Sequence, residues 1–155
     1  MLKEEIRADL APRLNELPTQ RMAVMESRGD PAKVAPELVP RLYAAVRAPT
    51  PLRARWPNAH LAPKDEWIGL WALPIADDVT EVEGAQIEEW EYGQVAEIVH
   101  EGPYETEPES VATLQAFVAG QGLELAGPHA EEYLTPPGAD PQRTLIRYRV
   151  SSRAR

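Results

Sequence analysis

The stretch "VAEIVHEGPY" runs from Val95 to Tyr104, and "MAVMESRGDP", from Met22 to Pro31, repeats its plan. Each is an apolar run containing Ala that passes through Glu, Ser or Arg to a glycine, a few residues ahead of a helix signal. Gly29 and Gly102 fall at matching places, and so do Ala23 and Ala96. Internal repetition of one supersecondary unit is the mark of a duplicated module.

The flanking segments keep the same rhythm. Gln20–Ser27 reads as a strand, and a helix is expected from about Glu37 to Arg47, with Pro36 and Pro40 at its start, where N–H groups lack helical partners anyway. Residues 48–64 hold Pro49, Pro51, Pro57 and Pro63 and no clear period, which predicts a long loop. Glu66–Pro74 and Ala85–Gly93 read as strands, the second joined to a strand over Gln94–Gly102 by a tight turn near Gly93. Thr106 and Glu109 have the spacing of a capping box ahead of a helix carrying Val111, Leu114, Phe117 and Val118 on one face, ended by Gly120 and Gly122. Ala130–Leu134 and Thr144–Val150 complete the set. At the other end, Leu2, Ile6, Leu10, Leu14 and Leu17 form a helical stripe that stops at Pro18. The expectation is an α+β fold: an N-terminal helical extension over residues 1–18, then one domain over 19–155 made of two strand-helix-strand-strand modules about a pseudo-two-fold cleft. Such a seam is a natural place for a ligand.

Composition narrows the function classes. The chain has 155 residues, 43% hydrophobic and 26% charged, enough for one folded domain with a real core. It has no cysteine, which removes disulfides, thiolate nucleophiles and Cys-ligated metals together. No apolar run approaches the length of a membrane span and the first ten residues do not read as a signal peptide, so a cytoplasmic protein without membrane contact is expected. The formal charge of −9 disfavours direct nucleic-acid binding. The basic stretches Leu52–Trp56 and "RYRVSSRAR" read as a solvated loop and a solvated tail. His60, His100 and His129 are far apart without metal-site spacing, no phosphate loop or dinucleotide fingerprint is present, and no serine has an apparent base. No metal and no cofactor are expected.

The chemistry-bearing stretch is "GPHAEEYLTPP", Gly127–Pro137. On a strand, Glu131 and Tyr133 share one face and Glu132 points the other way. A carboxylate facing a cleft can serve as a counter-charge or a general base, and a phenol beside it can orient it or donate a proton. Trp67 and Trp71 are candidates for an aromatic wall, since indole faces attract cations and flat rings; Trp90 is a weaker one, and Tyr104 reads as a lid or rim residue.

In combination, "GQVAEIVHEGPYETEPES", "GPHAEEYLTPPG" and "RTLIRYRV", with "RGDPAKVAPELVPRLYAAV" and Gly69–Trp71, resemble the GyrI-like small-molecule-binding domains over about Gln20–Val150. That resemblance implies the duplicated fold, kinship with effector-binding domains of AraC-type and MerR-type regulators, and an inward face for Glu131 and Tyr133. It implies a small hydrophobic or cationic ligand in an aromatic cleft lined by Trp67, Trp71, Trp90, Tyr104, Glu131 and Tyr133. The alternative is a hydrolase that opens strained electrophiles such as cyclopropanoid natural products, with Glu131 and Tyr133 catalytic. Stand-alone relatives often carry a glutamate just before Gly-Leu-Trp; here Ile68 stands there, which moves the burden to another carboxylate. A gyrase-inhibitor-like interaction module is a weaker alternative. The sequence leaves monomer and dimer open.

Overall fold

The computed structural model describes residues 10–47, 50–136 and 139–152. Strands β1 (Arg13–Leu17), β2 (Gln20–Arg28), β3 (Arg53–Trp56), β4 (Ile68–Pro74), β5 (Gln86–Trp90), β6 (Gly93–Glu101), β7 (Leu123–Leu125), β8 (His129–Tyr133) and β9 (Arg143–Ser152) form one antiparallel sheet. Helices α1 (Pro31–Val46) and α2 (Glu107–Gly120) follow β2 and β6. The strand order is β1-β6-β9-β8-β3-β4-β2-β5, with β7 beside the end of β9.

That order reads the same from either end once the two copies are aligned. β2, α1, β3 and β4 correspond to β6, α2, β8 and β9. Gly29 and Gly102 occupy equivalent turns with φ of 125° and 126°, a conformation that glycine adopts without steric cost. Their N–H groups donate to equivalent carbonyls, Trp67 at 2.9 Å and Gln142 at 2.8 Å. The leading strands are exchanged: β1, which precedes β2, pairs with β6, and β5, which precedes β6, pairs with β2. The copies meet where β3 pairs with β8.

Both helices cover the same face. Leu38 and Leu42 of α1 pack on Ala23, Met25, Trp71 and Leu73, while Leu114 and Val118 of α2 pack on Ala96, Ile98 and Ile146. Met25, Trp71, Ala54, Glu131, Ile146 and Ile98 are cross-strand partners in one row, so all six side chains point to that face. On the back face, Met22 and Val24 of β2 cluster with Val95 of β6, from strands far apart in the order. The sheet is therefore curled.

Several expected boundaries are corrected. Arg13–Leu17 is a strand of the sheet, not the end of a helix; residues 1–9 lie outside the described residues. The reason is that Leu14 and Leu17 serve opposite faces, Leu14 the α2 cluster and Leu17 the back-face cluster. The long loop contains β3, whose alternation was hidden by its prolines: Ala54 and Trp56 face the helices, while Arg53 and Arg55 face back. Leu52–Trp56 is thus mostly central strand rather than solvated loop, and "RYRV" is β9 rather than tail. β5 and β6 make no hairpin, because β1 occupies the edge of β6.

Helix α1 starts at Pro31, with Asp30 Oδ1 accepting from Ala32 N at 2.9 Å. Pro36 and Pro40 therefore lie inside the helix, both on its exposed side, where the carbonyls they leave unpaired meet water. Thr106 makes no capping bond to α2; its hydroxyl serves His100 and the Pro103 carbonyl instead.

Candidate functional site

Glu131 lies beside the pseudo-two-fold axis. Met25 pairs with Trp71 and its equivalent Ile98 pairs with Ile146; Trp71 pairs with Ala54 and Ile146 pairs with Glu131. Ala54 and Glu131 are therefore equivalent positions, and they also pair with each other across the β3–β8 seam. One copy supplies a carboxylate at the centre of the helix face, and the other supplies the smallest side chain that leaves it room.

Glu131 is only 8% exposed, yet it is fully engaged. Tyr133 donates its hydroxyl to Oε1 at 2.7 Å. His129 Nε2 lies 2.8 Å from Oε2, and Tyr148 Oη lies 2.7 Å from His129 Nδ1. These partners assign the tautomer: Tyr148 donates to Nδ1, and Nε2–H donates to the carboxylate. Glu107, first residue of α2, completes the group: it, His129 and Glu131 bring one ligand-type atom each within 4.8 Å of one another. Both nitrogens of His129 are engaged, Nδ1 by Tyr148 and Nε2 by Glu131.

Burial alone would raise the pKa of a carboxyl placed here. Burial does push the Glu131 carboxyl up, but hydrogen bonds from His129, Glu107 and Tyr133 outweigh it and hold Glu131 below the usual carboxylate range. The raised carboxyl is Glu107, pushed up to about 10 by burial and then by the charge of Glu131. Burial, then the same two carboxyls, raises Tyr148 to about 12. Burial and the Glu131 charge also raise Tyr133 and Tyr104. The pair of carboxyls thus carries one negative charge at neutral pH, on Glu131.

Aromatic rings close over this charge. Trp71 stacks on Tyr133 with centroids 6.3 Å apart and meets the edge of Trp56 at 5.0 Å. Its indole N–H donates to Ser27 Oγ at 2.8 Å. Trp71 is buried, so the open indole face that an aromatic wall calls for is covered here by Tyr133. Gly69 explains the "GLW" stretch: a Cβ there would sit 2.8 Å from Ser27 Oγ, Trp56 and Trp71 Nε1. Trp67 packs on Trp56 at 5.9 Å and donates to the Ala62 carbonyl, one ring further out. Tyr104 meets Tyr133 edge-on at 6.2 Å and is 47% exposed, the position of a rim residue.

Trp90 does not belong to this group. Its parity puts it on the back face, where the Arg55 guanidinium lies 4.1 Å from its ring. Glu132 also faces back, with Arg53 and Arg147 each at 3.4 Å. The sequence reading missed Trp56, Glu107, His129 and Tyr148. The same alternation that joined Glu131 to Tyr133 reaches His129 two residues earlier; Glu107, on another element, left no such signal.

No protein-family model and no curated protein matches the sequence. Solved structures do. An uncharacterised conserved protein from Listeria innocua superimposes with a TM-score of 0.82 at 22% identity, covering 97% of each chain. A hydrolase from Listeria innocua gives 0.80 at 20% identity, again over 97% of each. The EcmrR C-terminal domain gives 0.73 at 14% identity, covering 92% of this chain and 98% of that one. The chain therefore has the α+β effector-binding, GyrI-like fold, and at these identities the likeness concerns the fold alone. Among the described residues, no helix is long and apolar enough to cross a membrane.

Proposed function

We propose that the chain binds a small hydrophobic molecule, cationic by preference, between α1 and α2, with Glu131 as its counter-charge. The observation that carries this reading is a buried, ionised carboxylate beside the pseudo-two-fold axis, ringed by Tyr133, Trp71 and Tyr104, whose one ion-pair partner among the described residues is His129. Neutral hydrogen-bond donors and His129 hold Glu131 ionised with no Lys or Arg in an ion pair with it among the described residues, so the charge is kept for a ligand cation to pair with. The rings offer faces to that cation once Tyr104, the half-exposed one, swings aside.

Titration calorimetry with an aromatic cation tests it. Glu131→Gln keeps shape and removes charge, and is expected to weaken binding by about 1.5–3 kcal/mol, the range for a charge-assisted hydrogen bond, while leaving the fold intact. Equal affinity in the two proteins would remove Glu131 from the site.

A second reading rests on the 2.7 Å bond from Tyr133 to Glu131. Glu131 could take a proton from water while Tyr133 protonates the leaving atom of a strained ring, which is hydrolysis without a cofactor. The Listeria hydrolase of like fold is consistent with it. In that case Glu131→Gln abolishes turnover while a neutral substrate still binds.

A further inference from the structure

The back face of the sheet holds a second hollow, away from the Glu131 cleft. Its floor is Ala130. The two residues that pair with Ala130 across the strands are Arg55 of β3 and Arg147 of β9, so one methyl group separates two arginine stems. Arg149, two residues further along β9, points to the same face, and Tyr92 and Pro128 complete the lining. Gly127 lets the chain pass close over Arg149: a Cβ there would sit 3.1 Å from Arg149 Cβ and 3.3 Å from its Cγ and Cδ.

The three guanidinium groups differ in what neutralises them. Arg147 is paired with Glu97 at 2.6 Å and with Glu132 at 3.4 Å. Arg55 and Arg149 have no carboxylate within ion-pair distance among the described residues. Arg55 is instead held by aromatic rings. Its guanidinium lies 4.1 Å from the Trp90 ring and 5.2 Å from that of Tyr92, and it donates to the Glu91 carbonyl at 3.3 Å. Glu88, the acid acting on Arg55 from β5, already accepts the Trp90 indole N–H at 3.2 Å. A guanidinium stacked on rings is fixed in orientation and keeps an N–H edge for two-point contact with an oxyanion. Burial lowers the Arg55 pKa, and the charge of Arg149 pushes the same way, as expected of cations that lack a counter-charge. This chain carries 25 acidic residues against 16 basic ones, so carboxylates to neutralise both groups are not scarce. Packing over Trp90 accounts for Arg55 alone and gives no role to Arg149.

We propose that this hollow binds the oxyanion group of a small molecule, a phosphate or a carboxylate, with Arg55 and Arg149 donating to it from either side of Ala130 and Arg147 as the third positive wall. The site lies on the opposite face of the sheet from Glu131, so its test and that of the cleft are independent.

Thermal melting of the full chain in sodium phosphate, sodium acetate and sodium chloride, at matched ionic strength and neutral pH, separates binding from screening. Millimolar concentrations keep the comparison below the range of general salt effects on stability. Phosphate or acetate is expected to raise Tm saturably above chloride, and the salt that does so identifies the group. In a nuclear magnetic resonance titration with that anion, the Nε–H signals of Arg55 and Arg149 should move, while that of Arg41, exposed on α1, stays in place. Arg149→Gln alters an exposed side chain and should leave the fold intact while weakening the anion about tenfold or more, the effect of losing a charge-assisted hydrogen bond. Arg41→Gln makes the same change of net charge elsewhere and should leave the affinity unchanged. Identical melting in the three salts, wild-type affinity in Arg149→Gln, or an equal loss in Arg41→Gln would each overturn the site.

Discussion

Glu107 and Glu131 face each other across α2 and β8, and their opposite shifts make the stability of the empty protein pH-dependent on both sides. Folding raises the Glu107 carboxyl to about 10. The folded chain therefore keeps a proton that the unfolded chain has lost. Stabilisation from that proton is complete below the ordinary carboxylate range and is lost as pH rises towards 10. The limiting slope for one proton is about 1.4 kcal/mol per pH unit, and partial solvent access to Glu107 reduces it. Glu131 runs the other way: its lowered value stabilises the fold above the ordinary range and fails as pH drops through the folded value. Urea titrations from neutral to mildly alkaline pH are expected to show falling stability in the wild type and a flatter profile in Glu107→Gln. Parallel profiles would place the proton elsewhere.

At the scale of elements, the back face holds the exchanged strand in place. Glu97 is 1% exposed and takes both Arg147 Nε and Nη2 at 2.6 Å, Arg13 at 3.1 Å and Asn15 Nδ2 at 3.3 Å. One carboxylate thus clamps β1 and β9 to β6. Glu97→Ala leaves Arg13 without its carboxylate and Arg147 with only the longer contact to Glu132, and should cost about 3 kcal/mol. Its effect should be largest on amide exchange in Arg13–Leu17. Glu132→Gln keeps an acceptor for its arginines, whose contacts at 3.4 Å are longer and whose carboxylate is less buried than Glu97, and should cost less, about 1 kcal/mol. Equal losses from the two would mean the clamp is not specific to Glu97. Much of this arrangement could be read from the chain, and the failures have definite causes. The repeat was visible because Gly29 and Gly102 must both adopt positive φ, a demand local enough to mark the sequence. The strand parity of Glu131, Glu132 and Tyr133 was legible for the same reason. β3 was not, since four residues framed by prolines carry too short a period. The exchange of β1 and β5 was not either, because which strand covers an edge depends on groups distant in sequence, here Arg13 and Asn15 meeting Glu97. Glu107 and Tyr148 meet at Glu131 from α2 and β9, and only the closed fold brings them together; His129, two residues away on β8, was within reach of the same alternation.

At the scale of the whole molecule, that exchange decides how the protein unfolds. Residues 10–74 contribute β1 to the other copy's edge, and β5, which leads the second copy, covers β2. Between the copies, the β3–β8 ladder runs through the core, with Ala54 fully buried against Glu131. The back-face cluster of Met22, Val24, Ala72, Trp90, Tyr92 and Val95 also draws on both halves. Neither half can bury its apolar surface alone, so the two modules are expected to unfold together despite their pseudo-symmetry. Tryptophan fluorescence and far-ultraviolet circular dichroism report on different parts of this arrangement. Three of the four tryptophans, Trp56, Trp67 and Trp71, lie in the first copy, and the fourth, Trp90, lies on β5, which pairs with β2 of that copy, whereas backbone dichroism samples both copies. Urea transitions by the two probes should coincide at one midpoint, with a single slope of about 1–3 kcal/mol per molar, as for a small two-state protein. Cutting the chain between β5 and β6 should give fragments that are unfolded when separate and regain the dichroism of the intact protein only when mixed. A fragment that folds by itself, or a fluorescence midpoint displaced from the dichroism midpoint, would show that the seam is a contact between independent modules rather than part of one cooperative core.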